Sequence, residues 1–348
     1  MPRKKSVTLQ DLAEQLHLSV HTVSKALRGL PGMSEETREA VLQAARKAGY
    51  RTKDQERTLV MENIPLFPHK QRNFKLVITS GALSSDMNQL LLGGLQEKLS
   101  EHGHTIETVL LPHAFEHDLE ESFEEWAERH HLRHADGVFV PPLIESHLEQ
   151  KLLQLPVPRV MLNFPLPAAE VDSVVWDVGT SIHQSVRYLL SHGHREILYV
   201  GSIDRYRGLK LRWQSFVAAL KEAGIVTDSS EHVTGRFQRK EEWMADISEK
   251  LARREVTAIL NGANQQVAWV YHACSMNGKQ IPHDYSLVSL EHTRNEFLPQ
   301  LTRPKLLIRE AGIRGAERML WRLANPYLPY EHILLQGGFY EGETVRRI

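Results

Sequence analysis

The sequence predicts two fold classes in one chain: an all-α helix-turn-helix head, residues 1–59, and an α/β body with parallel sheets, residues 73–348. Three observations predict it. The stretch "VTLQDLAEQLHLSVHTVSKALRGL" at 7–30 holds two short helical patterns, each with its own cap and with one small turn between them. Residues 60–72, "VMENIPLFPHKQR", carry two prolines and little periodicity, and read as a linker. Beyond them short apolar strands alternate with helices, the pattern of parallel strands covered on both faces.

Composition bounds the function. The 348 residues allow about two domains with ample core, and 41% hydrophobic and 24% charged residues are ordinary for a globular chain. A single cysteine, Cys274, excludes an internal disulfide and a thiolate metal cluster, which suits a reducing cytosol. "MPRKKSV" has no apolar run behind its basic start, so a signal peptide is not expected. No stretch approaches the roughly 18 apolar residues of a membrane span. A cytoplasmic protein with no membrane partner is the expectation. Charge is uneven. Residues 1–60 carry 11 Lys/Arg against 7 Asp/Glu, a net of +4, and the remainder a net of −5. A basic head on an acidic body suits a polyanion, because each neutralised phosphate releases counterions.

In the head, Thr8 and Asp11 read as a capping pair for a first helix with Leu9, Leu12, Ala13 and Leu16 on one face. "HLS" forms the turn, and Ser19 caps a second helix whose Val23, Ala26 and Leu27 pack on the first. That spacing turns Val20, His21, Thr22, Ser24, Lys25 and Arg28 outward. Short polar and basic side chains on the first turns of an exposed helix suit a DNA groove, with the positive helix end toward a phosphate. Ser34 caps a third helix, whose Val41, Leu42 and Ala45 close the core before Gly49.

The stretch "VTLQDLAEQLHLSVHTVSKALRGLPGMSEETREAVLQAARKAGYR" resembles, almost throughout, the head of the LacI/GalR family of bacterial repressors. The shared features are V-T-x-x-D-[IVL]-A, S-x-x-T-V-S-[RK]-x-L-x-G, [VM]-S-x-x-T-R-x-x-V and A-x-x-x-G-Y. The resemblance implies double-stranded operator DNA as partner and a DNA-facing set of Thr8, Ser19, Val20, His21, Thr22, Ser24, Lys25, Arg28, Ser34 and Tyr50. It also implies a hinge helix that wedges a leucine into the minor groove, which places Leu59 there. This hinge departs from the family: "GYRTKDQERTL" has Thr52 and Lys53 where Pro-Asn is usual, and Asp54 and Glu56 where alanines are usual.

In the body, "FKLVITS", "TIETVLL", "ADGVFVPP", "VPRVMLNF", "REILYVGS", "TAILNG" and "YSLVSLEH" read as strands. "MNQLLLGGLQEKLSEHG", 115–132, 179–193, 209–224, 240–254 and 265–277 read as helices, and "HILLQGGFYEGETV" as a closing strand. No GxGxxG or GxxxxGK[ST] follows any strand. The body resembles, more faintly, the same family's effector domain, itself similar to periplasmic sugar-binding proteins. "VGTSIHQSVRYLLSHGHREILYVG", "LRWQSFVAALKEAGI" and "IPHDYSLVSLEH" carry the resemblance. It implies a two-lobed periplasmic-binding-protein-like domain that clamps a small polar metabolite, such as a sugar or amino sugar. The three crossings between lobes are expected near 163–176, 292–298 and 320–330.

Mapped onto these matches, the effector-binding residues are Arg212, Phe237, Asn264, Glu291 and Ser181. Arg212 is the family's arginine, a forked donor that keeps its charge, and Phe237 stands where an aromatic stacks on ligand. Asn264 belongs to an Ala-Asn that replaces Asn-Asp, Glu291 replaces an aspartate, and Ser181 replaces an arginine. No cofactor and no metal are expected: His113 and His117, and the group His130, His131 and His134, lack a two-His-plus-carboxylate helix. The resemblance implies a homodimeric repressor controlled by the metabolite. The alternative is an enzyme or a solute-binding protein on the same α/β body, the head being an appended regulator. Against the enzyme, no nucleophile elbow, triad spacing or metal motif is present.

Overall fold

A computed structural model describes residues 7–27, 30, 32–48, 50, 71–79, 85–111, 122–237, 239–253, 255–262, 267–290 and 300–348. The chain divides into two compact units, Met1–Leu66 and Phe67–Ile348.

The first unit holds three helices among its described residues: α1 Leu9–Gln15, α2 Val20–Leu27 and α3 Glu35–Ala48. α1 starts where its cap dictates. The Thr8 hydroxyl accepts from the Asp11 N–H, and the Asp11 carboxylate accepts from the Thr8 N–H at 2.7 Å. The chain leaves α1 through His17 at φ 53, the left-handed conformation that ends a helix within one residue, and Leu18 N–H closes the turn on Ala13 O. Leu12, Ala13, Val23, Ala26, Val41, Ala44 and Ala45 form the shared core. Leu42 was expected there and lies half-buried outside it, because Ala44, on the adjacent line of α3, is the residue that faces α1 and α2.

The second unit contains two lobes. The first is built from β1 Asn73–Thr79, α4 Asp86–Glu101, β2 Thr105–Leu111, α5 Phe123–Arg129, β3 Gly137–Val140, α6 Ser146–Leu153, β4 Arg159–Met161 and β5 Asp172–Trp176. The second continues with α7 Val178–Ser191, β6 Ile197–Val200, α8 Arg207–Glu222, α9 Lys240–Arg253, β7 Ala258–Asn261, α10 Val267–Met276, β8 Ser286–Ser289 and β9 Arg303–Pro304. The chain then returns to the first lobe as α11 Ile308–Ala324 and β10 His332–Leu335, and β11 Phe339–Tyr340 pairs with β9 in the second. Among the described residues the first lobe's sheet runs β10-β5-β4-β3-β1-β2 and the second's β6-β7-β8, all pairs parallel. β3, β5, β6, β7 and β8 are buried along their whole length, as strands covered by helices on both faces must be.

The first expected crossing is met to within a residue, the span expected for the second, 292–298, lies outside the described residues, and the third is displaced. The first lies at Asp177, between β5 and α7, one residue past the expected span. The second lies between Pro304 and Ile308, and the third between Leu335 and Phe339. Residues 320–330 stay in the first lobe, where Arg322 holds the Asp172 carboxylate of β5, and the earlier part of α11 packs along α4. Gly94 and Gly312 let the two backbones touch: a Cβ on Gly94 would stand 2.0 Å from Arg309 O, and one on Gly312 2.3 Å from Leu91 O. The later crossings also lean on each other, with Gly337 pressed against Lys305 O. Among the named helices and strands, those not anticipated from sequence are α6, β5, β9 and α11. The helix expected over 115–132 is present as α5 from Phe123; its earlier residues, with His113 and His117, lie outside the described ones.

Candidate nucleic-acid interface and interlobe site

α2 presents one apolar and one polar face. Val23 and Ala26 are buried toward α1 and α3. Val20 is 44% exposed, His21 is exposed, and Thr22, Ser24 and Lys25 are half-buried on the opposite side. Ser19 caps the helix: its hydroxyl accepts from Thr22 N–H at 3.1 Å and pairs with the Thr22 hydroxyl at 2.8 Å. These two side chains therefore fix where α2 begins and leave Val20 and His21 at its leading edge. The Lys25 ammonium lies over the turn at Gly32, whose φ of 107 suits glycine. Thr8 and Ser34 are caps as well, with Ser34 Oγ accepting from Thr37 N–H at 3.2 Å. Tyr50 packs half-buried against the head core. Arg28 and Leu59 lie outside the described residues.

In the body the expected effector residues do not form one cluster among the described residues. Arg212 is buried, and its Nη1 donates to Gly262 O at 2.6 Å, at the carboxyl end of β7. Gly262 abuts the Tyr199 hydroxyl, which a Cβ there would meet at 2.4 Å. Burial pushes the Tyr199 phenol well up and the Arg212 guanidinium down from its ordinary value. Ser181 was expected to grip ligand, but it is buried in α7 and its hydroxyl donates to Asp177 O, four residues back, at 2.7 Å. Phe237 was expected to stack on ligand, but its ring lies against Gly235 and the second lobe's core. Ser181 is thus bonded within its own helix, and Phe237 is half-buried. Asn264 and Glu291 lie outside the described residues. Of the histidines weighed as ligands, His134 stands 3.6 Å from Glu128, and among the described residues no group of three or more His, Cys, Asp or Glu is placed to hold a metal. His194 is a buried strut: Nε2 donates to Arg346 O at 2.9 Å and Nδ1 lies 3.0 Å from the Thr257 hydroxyl.

A second set of polar residues joins the lobes, and sequence reading missed it. Arg207 opens α8 in the second lobe. Its Nε donates to Phe164 O at 2.7 Å and its Nη2 to the Glu149 carboxylate, on α6 of the first lobe. Glu149 is fully buried and also receives Asn163 Nδ2 at 3.5 Å. Burial raises the Glu149 carboxyl above the usual carboxylate range, and the Arg207 guanidinium pulls against it. Gly208 rests on the Phe164 ring, and outside it Arg205 faces Glu145 at 3.9 Å. These groups follow β3, β4 and β6, so they stand at the carboxyl ends of both parallel sheets, where open α/β folds keep their crevice. Neither "SHLEQKLL" nor "RYRGLK" carries a pattern that would have marked them.

Known proteins resolve what the geometry leaves open. Residues 8–53 match the family "Bacterial regulatory proteins, lacI family", and residues 186–345 match "Periplasmic binding protein-like domain". Catabolite control protein A of Priestia megaterium is 24% identical over 94% of both chains. The chain belongs to the lacI family of bacterial regulatory proteins. Solved structures share the fold. A complex of the transcriptional regulator CelR with cellobiose is similar at TM-score 0.67 and 21% identity, over 97% of this chain and 99% of that one. A lac repressor dimer bound to operator and the anti-inducer ONPF gives TM-score 0.63 and 18% identity, over 98% and 100%. As a lacI-family member the protein is a DNA-binding transcriptional regulator, not an enzyme. None of its described helices is long and apolar enough to cross a membrane.

Proposed function

We propose that this lacI-family chain is a cytoplasmic, homodimeric repressor. Its head binds operator DNA through α2, and its body binds a small polar metabolite between the lobes. The observation that carries the DNA reading is the capped α2, with Val23 and Ala26 held in the core, Val20 and His21 exposed and Lys25 half-buried on the opposite face. In this reading His21 and Lys25 reach base edges in the major groove, Val20 touches a thymine methyl, and the caps fix the helix for them. Arg28, Ser24 and Thr22 add backbone contacts, and Leu59 supplies the minor-groove wedge.

The ligand reading rests on Arg212 at the crevice end of β7, together with Asn264 and Glu291, which the family resemblance assigns to the same ligand. A cation, an amide and a carboxylate suit a polyhydroxylated or amino-bearing ligand, because an apolar one would leave them unpaired. Cellobiose in the CelR complex supports that class. A ligand acts on DNA affinity only through its preference between closed and open lobes.

The test is an electrophoretic shift with duplex DNA from upstream of the protein's own gene, with and without sugars, amino sugars and polyols. A retarded band that a metabolite abolishes or strengthens is expected. Failure to retard that duplex better than a random one overturns the DNA reading. A thermal-shift screen of the same compounds on wild type, Arg212→Lys and Arg212→Ala tests the pocket. A hit that stabilises all three equally removes Arg212 from the ligand site.

A further inference from the structure

We propose that the two lobes carry their own latch, an Arg207–Glu149 clasp across the crevice that holds them closed with no effector bound. The three chain crossings lie at Asp177, 304–308 and 335–339. They tie the lobes together along one side and leave the relative opening to be set by what spans the crevice. Arg207 spans it twice, at the Phe164 carbonyl and at the Glu149 carboxylate. Glu149 sits on α6, whose Leu148 and Leu152 are in the first lobe's core, and Arg207 begins α8, whose Phe216 is buried in the second. Opening would therefore separate residues that are each fixed to a rigid element.

The chemistry favours a clasp with a definite closed position. A guanidinium fork can engage a carboxylate and a carbonyl at once, and the low surrounding polarity strengthens both bonds. Gly208 on the Phe164 ring adds a close apolar contact beside it, and Arg205–Glu145 lies on the exposed rim. The clasp is also incomplete. Glu149 Oε1 is buried with no hydrogen-bond partner among the described residues, and burial opposes the charge on that carboxyl. An unmade bond to a buried charge takes back part of what the ion pair contributes. Closed and open lobes are thereby kept close enough in free energy for a small ligand to shift the balance. That consequence for regulation rests on the effector reading above. The latch itself concerns only the body.

The test measures lobe spacing in the full-length chain. Spin labels on Val226→Cys in the second lobe and Tyr327→Cys in the first, both highly exposed positions, are read by pulsed dipolar spectroscopy. Labelled chain is diluted into unlabelled chain so that each labelled molecule reports one pair. Without ligand, the parent should give a single narrow distance. Glu149→Gln and Arg207→Met should shift it to longer, broader values, and the exchanged pair Glu149→Arg with Arg207→Glu should recover part of the narrow distance. Glu145→Gln on the rim should leave it unchanged. Circular dichroism melts identify any variant that fails to fold, and the rim and exchange variants then carry the comparison. A broad ligand-free distance in the parent, or a folded Glu149→Gln that keeps the narrow one, overturns the latch. Loss of DNA binding with the distance pattern intact would count against the proposed function instead.

Discussion

Lys25 shows how a single side chain decides between two roles. It stands one turn beyond His21 on the face of α2 opposite Val23 and Ala26, with its ammonium over the Gly32 turn. Lys25→Ala should cost roughly 1–3 kcal/mol of specific DNA binding and relax sequence preference. Fluorescence anisotropy on operator and random duplexes checks it, and equal losses on both would make Lys25 a phosphate contact. Cys274 is the opposite case, a residue whose surroundings silence its chemistry. Burial, and then the Asp284 carboxylate, push its thiol from 9.0 to about 12. The thiolate is the reactive form, so iodoacetamide at about pH 8 should leave Cys274 unmodified in the native protein and label it in urea. The sign of the pH effect follows. Below pH 9 the thiol is protonated in both states, while between 9 and 12 the unfolded chain ionises it and the folded chain does not. Stability attributable to Cys274 is therefore present below 9 and lost as pH rises through that window.

Among the elements, α4 and α11 test how much of the body's stability lies in backbone contact. Their crossing has no room for a methyl on Gly94, since the obstacle is Arg309 O rather than a flexible side chain. Gly94→Ala must push the helices apart, although alanine by itself would favour α4. A loss of about 1–3 kcal/mol is expected from overpacking. Urea denaturation followed by circular dichroism measures it, and a midpoint at or above wild type would show that the helices can separate at no cost. Gly103 ends α4 with φ 73 in open space, so its substitution strains the backbone without disturbing this crossing.

For the whole molecule the expectation is assembly. One head offers only α2 to a groove, and two heads on a dimeric body read two half-sites about one helical turn apart. Sedimentation equilibrium at micromolar concentration should give a homodimer, and footprinting should give a pseudo-palindromic site. A monomer binding one half-site with full affinity would overturn this. Regulation at this scale needs lobes with two positions, and the Arg207–Glu149 clasp is where their balance is set.

The sequence by itself determined what is decided within a few residues. Thr8 with Asp11, and Ser19 with Thr22, start helices through bonds that span three residues, so the head could be read directly from their spacing. The buried apolar runs of β1, β3, β6, β7 and β8 were legible for the same reason, as was the parallel α/β class they imply. Only the tertiary structure decided what depends on distant partners. β5 begins with Asp172, which reads as a loop residue until Arg318 and Arg322 from α11 enclose its carboxylate. Ala311, Gly312, Gly315 and Ala316 of α11 are buried, but nothing local in the sequence says that they lie on α4 rather than crossing to the other lobe. Ser181 and Phe237 were mapped to ligand positions by the family resemblance, and the fold gave them partners inside one lobe. Arg207 meets Glu149 across 58 residues of chain because the order of strands in two sheets brings their carboxyl ends together. Capping and periodicity act through neighbouring backbone groups, whereas such a contact exists only once both sheets are assembled.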